Sequence, residues 1–245
     1  MRGNDGAVGA SFVVVPTAGV FCAAGAILPS QVLAAQPRLK AGPPPLRIAD
    51  ESGAPKISAD AKLAAEAGLK AFMKGDLEAA RGFFQKLLKL APNNLTGLVN
   101  LGSVEFRLGH FEDAQTLLKK AVRVNPDAGQ AWLILGMCEQ RRGKLDESLA
   151  ALSQAIVLEP KNPRAHSALA VTLAAKNWLS GAEDELQRAL ELDPDDAESH
   201  FNLALLCLQR TPPAVELARR HYQKARELGA EADFQIEAQL DAKSE

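Results

Sequence analysis

Residue types that usually carry chemistry are scarce in this chain of 245 residues. It has three cysteines, two tryptophans and one tyrosine, and aromatic residues make up 5% of the whole. Three cysteines cannot build the framework of bridges that holds small secreted domains together. Positive charge is not in surplus either: 28 lysines and arginines face 30 acids, for a net charge of −2. The lack of a basic stripe and the low aromatic content argue against a nucleic-acid role. No His-x3-His pair, no Cys-x2-Cys pair and no glycine-rich phosphate loop occurs, so no metal, no cofactor and no catalytic residue is expected. The acidic runs Glu183-Asp184-Glu185 and Asp195-Asp196 sit near expected helix starts, where they complement the helix dipole.

Charge is also missing from the N-terminal stretch, which holds no charged residue from Gly6 to Pro37. Residues 11–35 are apolar and rich in small side chains, with Val32-Leu33-Ala34 and Leu33-Ala34-Ala35 as small-residue cleavage sites. This pattern fits a secretory signal peptide. Its length also fits the ~17–25 residues of a membrane span, so residues 1–35 read as a signal peptide or an uncleaved N-terminal anchor. No lipobox precedes Cys22, whose neighbours are Gly19-Val20-Phe21. Residues 36–58 follow as a proline-rich flexible linker, with Pro43, Pro44, Pro45 and Pro55 forbidding helix. The expected location is exported, periplasmic or in the cell envelope.

What the chain does have is a period. Pro92, Pro126, Pro160 and Pro194 stand 34 residues apart. With the proline as position 32, the first unit starts at Ala61. Position 8 then reads Gly68, Gly102, Gly136, Ala170 and Ala204, and position 7 reads Ala67, Leu101, Leu135, Leu169 and Leu203. Position 20 carries Ala80, Ala114, Ser148 and Ala182; position 24 carries Phe84, Leu118, Leu152 and Leu186; position 27 carries Leu87, Ala121, Ala155 and Ala189. Apolar spacings of three and four fill both halves of each unit, which is the helical period. Gly75, Gly109, Gly143 and Asn177 close the first half, and the proline ends the second. Each unit therefore reads as two short helices, and a fixed period of this kind means a stacked solenoid.

The pattern, best seen in Trp132, Leu135, Gly136, Leu145, Leu152, Ala155 and Pro160, resembles the tetratricopeptide repeat family. The fold expected is an all-α, α-α superhelix of about five helix pairs plus a C-terminal capping helix. The units are 61–94, 95–128, 129–162, 163–196 and an irregular 197–228, within a repeat region 59–228; residues 229–245 form the capping helix and tail. In that last part, residues 231–242 are expected to be helical, with Phe234, Ile236 and Leu240 available to pack. Position 11, usually aromatic in the family, instead holds Ala71, Glu105, Glu139, Leu173 and Cys207. His166 and His200 share position 4 with Trp132 and read as bulky packing residues, while Cys138 and Cys207 read as small core residues. Trp178 lies in a helix–helix turn, where packing against the neighbouring turn is expected, with an exposed edge contact as the alternative.

In this family the first helix of each unit lines a concave face. That resemblance implies a groove of Leu69, Phe72, Val99, Phe106, Arg107, Leu133, Met137, Arg141, Val171, Phe201 and Leu205. The lysine–asparagine clamp of one subgroup is not built: Lys62 and Asn100 are present, but Ala65, Leu69 and Ser103 take the other places. An apolar strip of that length either is filled by something or is buried between the helices by curvature. Arg107 and Arg141 either compensate helix dipoles or meet an acidic partner. The implied function is a non-enzymatic protein-interaction scaffold that binds a peptide or amphipathic helix of a partner protein, with no nucleic acid and no membrane contact except through an uncleaved N-terminus. Two alternatives stand beside it. One is a self-assembling component whose groove is filled by its own linker or by dimerisation. The other is an accessory subunit that recruits substrates to a separate enzyme.

Overall fold

Residues 58–241 are described by the structure, a computed structural model, and every regular element among them is an α-helix. The leader at 1–35, the linker up to residue 57 and the last four residues lie outside the described residues. Eleven helices follow one another. The first pair is α1 (Ala59–Met73) and α2 (Leu77–Leu90), the second α3 (Leu95–Leu108) and α4 (Phe111–Val124), and the third α5 (Gly129–Arg141) and α6 (Leu145–Leu158). The fourth pair is α7 (Pro163–Ala175) and α8 (Leu179–Leu192), the fifth α9 (Ala197–Gln209) and α10 (Val215–Glu227), and α11 (Phe234–Asp241) closes the series.

The boundaries have local causes. Ser58 accepts a bond from the Ala61 amide (3.2 Å), as do Asn94 from Gly97 (2.8 Å) and Asp196 from Ser199 (3.2 Å), so a short polar side chain caps each of these first helices. At the turn inside each pair, Gly75, Gly109 and Gly143 take φ of 79°, 84° and 73°, and Asn177 takes 62°. The residue after each bonds back to the carbonyl five residues earlier: Asp76 to Ala71, His110 to Glu105, Lys144 to Glu139 and Trp178 to Leu173, all at 2.8–3.0 Å. Four units thus end their first helix with the same left-handed cap. The second helices stop two residues before Pro92, Pro126, Pro160 and Pro194, where a missing amide and a ring clash forbid continuation.

Within a pair the two helices nearly touch. A Cβ on Gly68 would stand 2.7 Å from the Phe84 ring, one on Gly102 2.8 Å from Leu118 Cγ, and one on Gly136 2.5 Å from Leu152 Cγ. Phe84, Leu118, Leu152 and Leu186 are accordingly fully buried. On each second helix the buried stripe is positions 20, 24 and 27, joined in α6 by Ala151, and the opposite face is solvated. Consecutive first helices also touch one another more than consecutive second helices do, so the first helices lie on the inside of the bend.

Polar groups bridge the junctions at regular intervals. Arg81 Nε donates to Glu105 (2.8 Å), Gln115 Nε2 to Glu139 (2.5 Å), and Ser148 and Thr172 share a bond of 2.9 Å, each pair 24 residues apart. Outside these runs a second, solvent-facing set: Arg142 with Glu112, Lys176 with Asp146, and Arg210 with Glu183. The proline carbonyls are engaged too. Trp132 Nε1 donates to Pro126 O (2.7 Å), His166 Nε2 to Pro160 O (3.1 Å) and His200 Nε2 to Pro194 O (3.1 Å). In these three units position 4 is therefore more than packing, because its ring N–H meets the proline carbonyl. Where it is Leu98, Lys120 Nζ bonds Pro92 O instead (2.7 Å).

The C-terminal helix is shorter than expected. Asp233 Oδ1 accepts from the Gln235 and Ile236 amides (2.8 and 3.1 Å), which fixes the start at Phe234. Ile236 and Leu240, four apart on one face, are buried against α10, whereas Phe234 points away and is 82% exposed. Tyr222 holds the cap in place, its hydroxyl accepting from the Asp233 amide (2.7 Å) and donating to Glu237 (3.0 Å).

The close approach inside the third pair gives a direct check. In Gly136→Val, the new side chain meets Leu152 Cγ and also the Leu152 amide nitrogen, 3.2 Å from an added Cβ, so the backbones must part. A loss of about 1–3 kcal/mol is expected in urea unfolding followed by circular dichroism. An unchanged midpoint would refute the contact.

Candidate functional site

The inner face of the bend is built by α1, α3, α5, α7 and α9, and the eleven predicted groove residues fall on these helices. Their burial divides them. Phe72, Val99, Leu133, Val171, Phe201 and Leu205 are at most 4% exposed. Leu69, Phe106, Arg107 and Met137 are half-buried, and Arg141 is exposed. Phe72 packs with Ala65 and Leu101, Val99 with Ala131 and Leu135, Leu133 with Leu152 and Leu169, and Phe201 and Leu205 with Tyr222. Much of the strip is thus floor, packed on adjacent first helices and on the second helix of its own pair. The half-buried residues are the part that a surface can meet.

Small side chains make this possible. Ala65, Ala131, Ala165 and Ala204 let each first helix settle against its neighbours, and α3 has no exposed residue from Gly97 to Glu105. In α9 the eight residues from Phe201 to Leu208 are all buried. A helix apolar on one side only would show an open face; these do not.

Charge on this side is sparse and mostly local. The Arg107 guanidinium sits 4.8 Å from the centre of the Phe72 ring, a cation–π contact across the first junction that the dipole argument did not foresee. Arg141 and Arg164 face Glu198, whose carboxyl is raised above the usual carboxylate range by burial and by Asp196, with both arginines opposing. Ser103 and Ser167 hydroxyls and the Asn202 amide are buried without any hydrogen-bond partner.

The departure at position 11 also has a structural meaning. Glu105 and Glu139, where the family usually has an aromatic, are 2% exposed. Glu105 takes Arg81 Nε and His110 Nδ1 (2.8 and 2.7 Å); Glu139 takes Gln115, Arg142 (3.0 Å) and Lys119 (3.5 Å). Glu105, His110 and Asp113 bring ligand-type atoms within 4.8 Å of one another, yet both Glu105 oxygens are already engaged. Cys138 and Cys207 are buried free thiols, and burial beside Glu139 pushes Cys138 up to about 12. Trp178 does not pack against the neighbouring turn; it is 52% exposed with Lys176 Nζ 5.1 Å from its ring centre.

On the outer side, a cleft of about 450 Å³ opens between α8, α9 and α10, lined in part by Glu183, Glu191, Cys207 and His221. At its edge His200 Nδ1 and His221 Nδ1 are 2.9 Å apart. His200 donates through Nε2 to Pro194 O, so its Nδ1 accepts and His221 donates.

Two tetratricopeptide repeat families match the sequence, one over residues 99–163 and the other over 140–209. No curated protein matches the chain. Solved structures share the fold. MamA of Desulfovibrio magneticus RS-1, from its residue 41 to the end, is 21% identical at a TM-score of 0.61, over 71% of this chain and 97% of that one. A thermophilic tetratricopeptide protein of Thermus thermophilus is 23% identical at 0.60, over 74% and 97%. The pilF protein of Pseudomonas aeruginosa is 16% identical at 0.65, over 75% and 83%.

The histidine pair carries a pH dependence. Burial and the neighbouring His200 lower the His221 value below its ordinary 6.5. The unfolded chain therefore takes up the proton first, so this contribution to stability is complete above about pH 6.5 and is lost as pH falls through the lowered folded value. The thermal midpoint of the fifth pair should drop between pH 7 and pH 5, and His221→Gln should flatten that slope. Equal slopes in both proteins would show that the pair does not titrate.

Proposed function

We propose that this chain, which belongs to the tetratricopeptide repeat family, is an exported, non-enzymatic scaffold that holds a segment of a partner protein against its concave face. Tetratricopeptide solenoids generally bind protein partners and carry no chemistry of their own. Support for this site comes from one arrangement: Leu69, Phe106 and Met137 lie half-buried along the inner helices, with Arg107 and Arg141 beside them. Apolar side chains in a row with a cation at the rim suit an amphipathic helix, or an extended apolar peptide with an acidic flank. Affinity would come from burying that row at roughly 25 cal/mol per Å², less the cost of ordering the ligand. Export rests on residues 1–35, whose composition fits a leader.

The test uses the half-buried residues and spares the buried ones, because an acid at Leu133 would strike the core. Tagged chain is recovered from its own envelope fraction, with N-terminal sequencing to learn whether the leader is removed. Met137→Asp with Arg141→Glu should weaken capture of the co-purifying protein by at least about tenfold, the effect of 1.4 kcal/mol. Ser153→Asp, on the outer face, should leave it unchanged. Equal recovery by both variants, with matching helicity, would place the interaction elsewhere.

A further inference from the structure

The near-neutral total of the chain hides an uneven distribution. Residues 61–128 carry ten lysines and arginines against seven acids, whereas residues 163–196 carry three against seven. No acid occurs from Ala79 to Val104, and none from Ala114 to Pro126. Beyond their first turns α2 and α4 therefore hold cations alone, and the two helices occupy the same place in consecutive units. Position 26 is Lys86 and Lys120, position 29 is Lys89 and Arg123, and all four are exposed. Each helix brings too few charges to read as a basic stripe along the sequence. Stacking at an interhelical distance of about 10 Å sets the two groups side by side on the outer face. Lys120 bonds the Pro92 carbonyl and Lys119 the buried Glu139, while Lys86, Lys89 and Arg123 meet no acid among the described residues. Dipole compensation does not account for them, because the last turns of α6 and α8 have no cation. Apolar side chains stand among these charges: Phe83, Leu90 and Val124 are 39%, 47% and 42% exposed. Phe83, Lys86 and Leu90, three and four residues apart, share one side of α2.

We propose that the outer face of α2 and α4 docks on an anionic lipid surface. Lys86, Lys89, Lys120 and Arg123 meet the headgroup phosphates, and Phe83, Leu90 and Val124 enter the headgroup layer between them. The shape decides against a peptide ligand: a face on the outside of a bend has no walls to hold an extended chain, and it suits a broad layer. The chemistry agrees, since cations interspersed with exposed apolar side chains are what the interface of an anionic bilayer accepts. Each cation near such a surface strengthens partitioning by about fivefold. The sequence alone allowed membrane contact only through the N-terminus; this face is a second contact, made by the folded repeats. It lies opposite the groove and does not depend on it. A molecule docked this way keeps its inner helices turned from the lipid, with the acid-rich fourth pair further along the ribbon.

Vesicle sedimentation reads the contact. The full chain is mixed with vesicles of phosphatidylcholine alone or with about one-third phosphatidylglycerol. The N-terminal run is the same in every arm, so the difference between the two vesicle types isolates charge. Anionic vesicles should bind at least about tenfold more tightly at low salt, and the excess should vanish near about 0.5 M salt, where screening is short-ranged. Lys86→Gln, Lys89→Gln and Arg123→Gln together should abolish most of that excess, at about fivefold per cation. Lys144→Gln, Lys161→Gln and Arg220→Gln remove the same charge from other exposed places and should leave it intact. Equal binding to both vesicle types, or equal loss in the two triple variants at matching helicity, would overturn the proposal. So would a soluble polyglutamate captured through Lys86, Lys89 and Arg123 by a protein that ignores the vesicles, a result that would assign this face to an acidic protein.

Discussion

The solenoid depends on how closely two helices can pass. At Gly102 and Gly136 there is no room for a Cβ, because Leu118 and Leu152 stand where it would be. That clearance sets the distance between the helices of a pair, and the pair is the brick from which everything else is stacked. A glycine in mid-helix gives up about 1 kcal/mol of propensity relative to alanine. A fully buried leucine against bare backbone offsets it at about 1.5–3 kcal/mol. In the fourth and fifth pairs Ala170 and Ala204 take the same place, so the rule is smallness rather than glycine.

Hydrophobic packing fixes the brick, and polar contacts fix how bricks meet. The pairs Arg81–Glu105, Gln115–Glu139 and Ser148–Thr172 recur at the same offset with different chemistry at each step. A buried carboxylate is costly without partners, so Glu105 and Glu139 tie one pair to the next in a single register. At the third junction neutral groups do the same: Gln140 reaches both Thr172 Oγ1 (2.8 Å) and Ala168 O (3.2 Å). The fifth pair departs from the pattern. Its turn from Arg210 to Pro213 is longer, and Arg210 is held by Glu183 on the preceding pair.

Most of the fold was legible because its causes are local. Proline stops, left-handed glycine caps and the 34-residue recurrence of small and large side chains all act within one unit, so reading the chain in sequence found them. The side of each helix that faces inward was legible only through the family resemblance. What escaped depends on contacts between units. Glu105 and Glu139 stood out only as departures from the aromatic usual at position 11, and their burial follows from Arg81 and Gln115, which arrive from the preceding pair. Trp132, His166 and His200 looked like bulk until the proline carbonyls came within reach of their ring N–H groups. Leu133 and Phe201 were placed correctly on the first helices, but their depth follows from alanines on neighbouring helices, and no single unit carries that information.

The small helix at the end governs how copies of this ribbon can join. Ile236 and Leu240 lie on the surface of the last pair where another pair would otherwise stack, and Tyr222 and Asp233 hold them there. Head-to-tail growth into a filament from this end therefore requires α11 to leave first. Chains that associate without such a rearrangement meet by their sides or through the hollow of the bend, and only a two-fold contact there closes on itself.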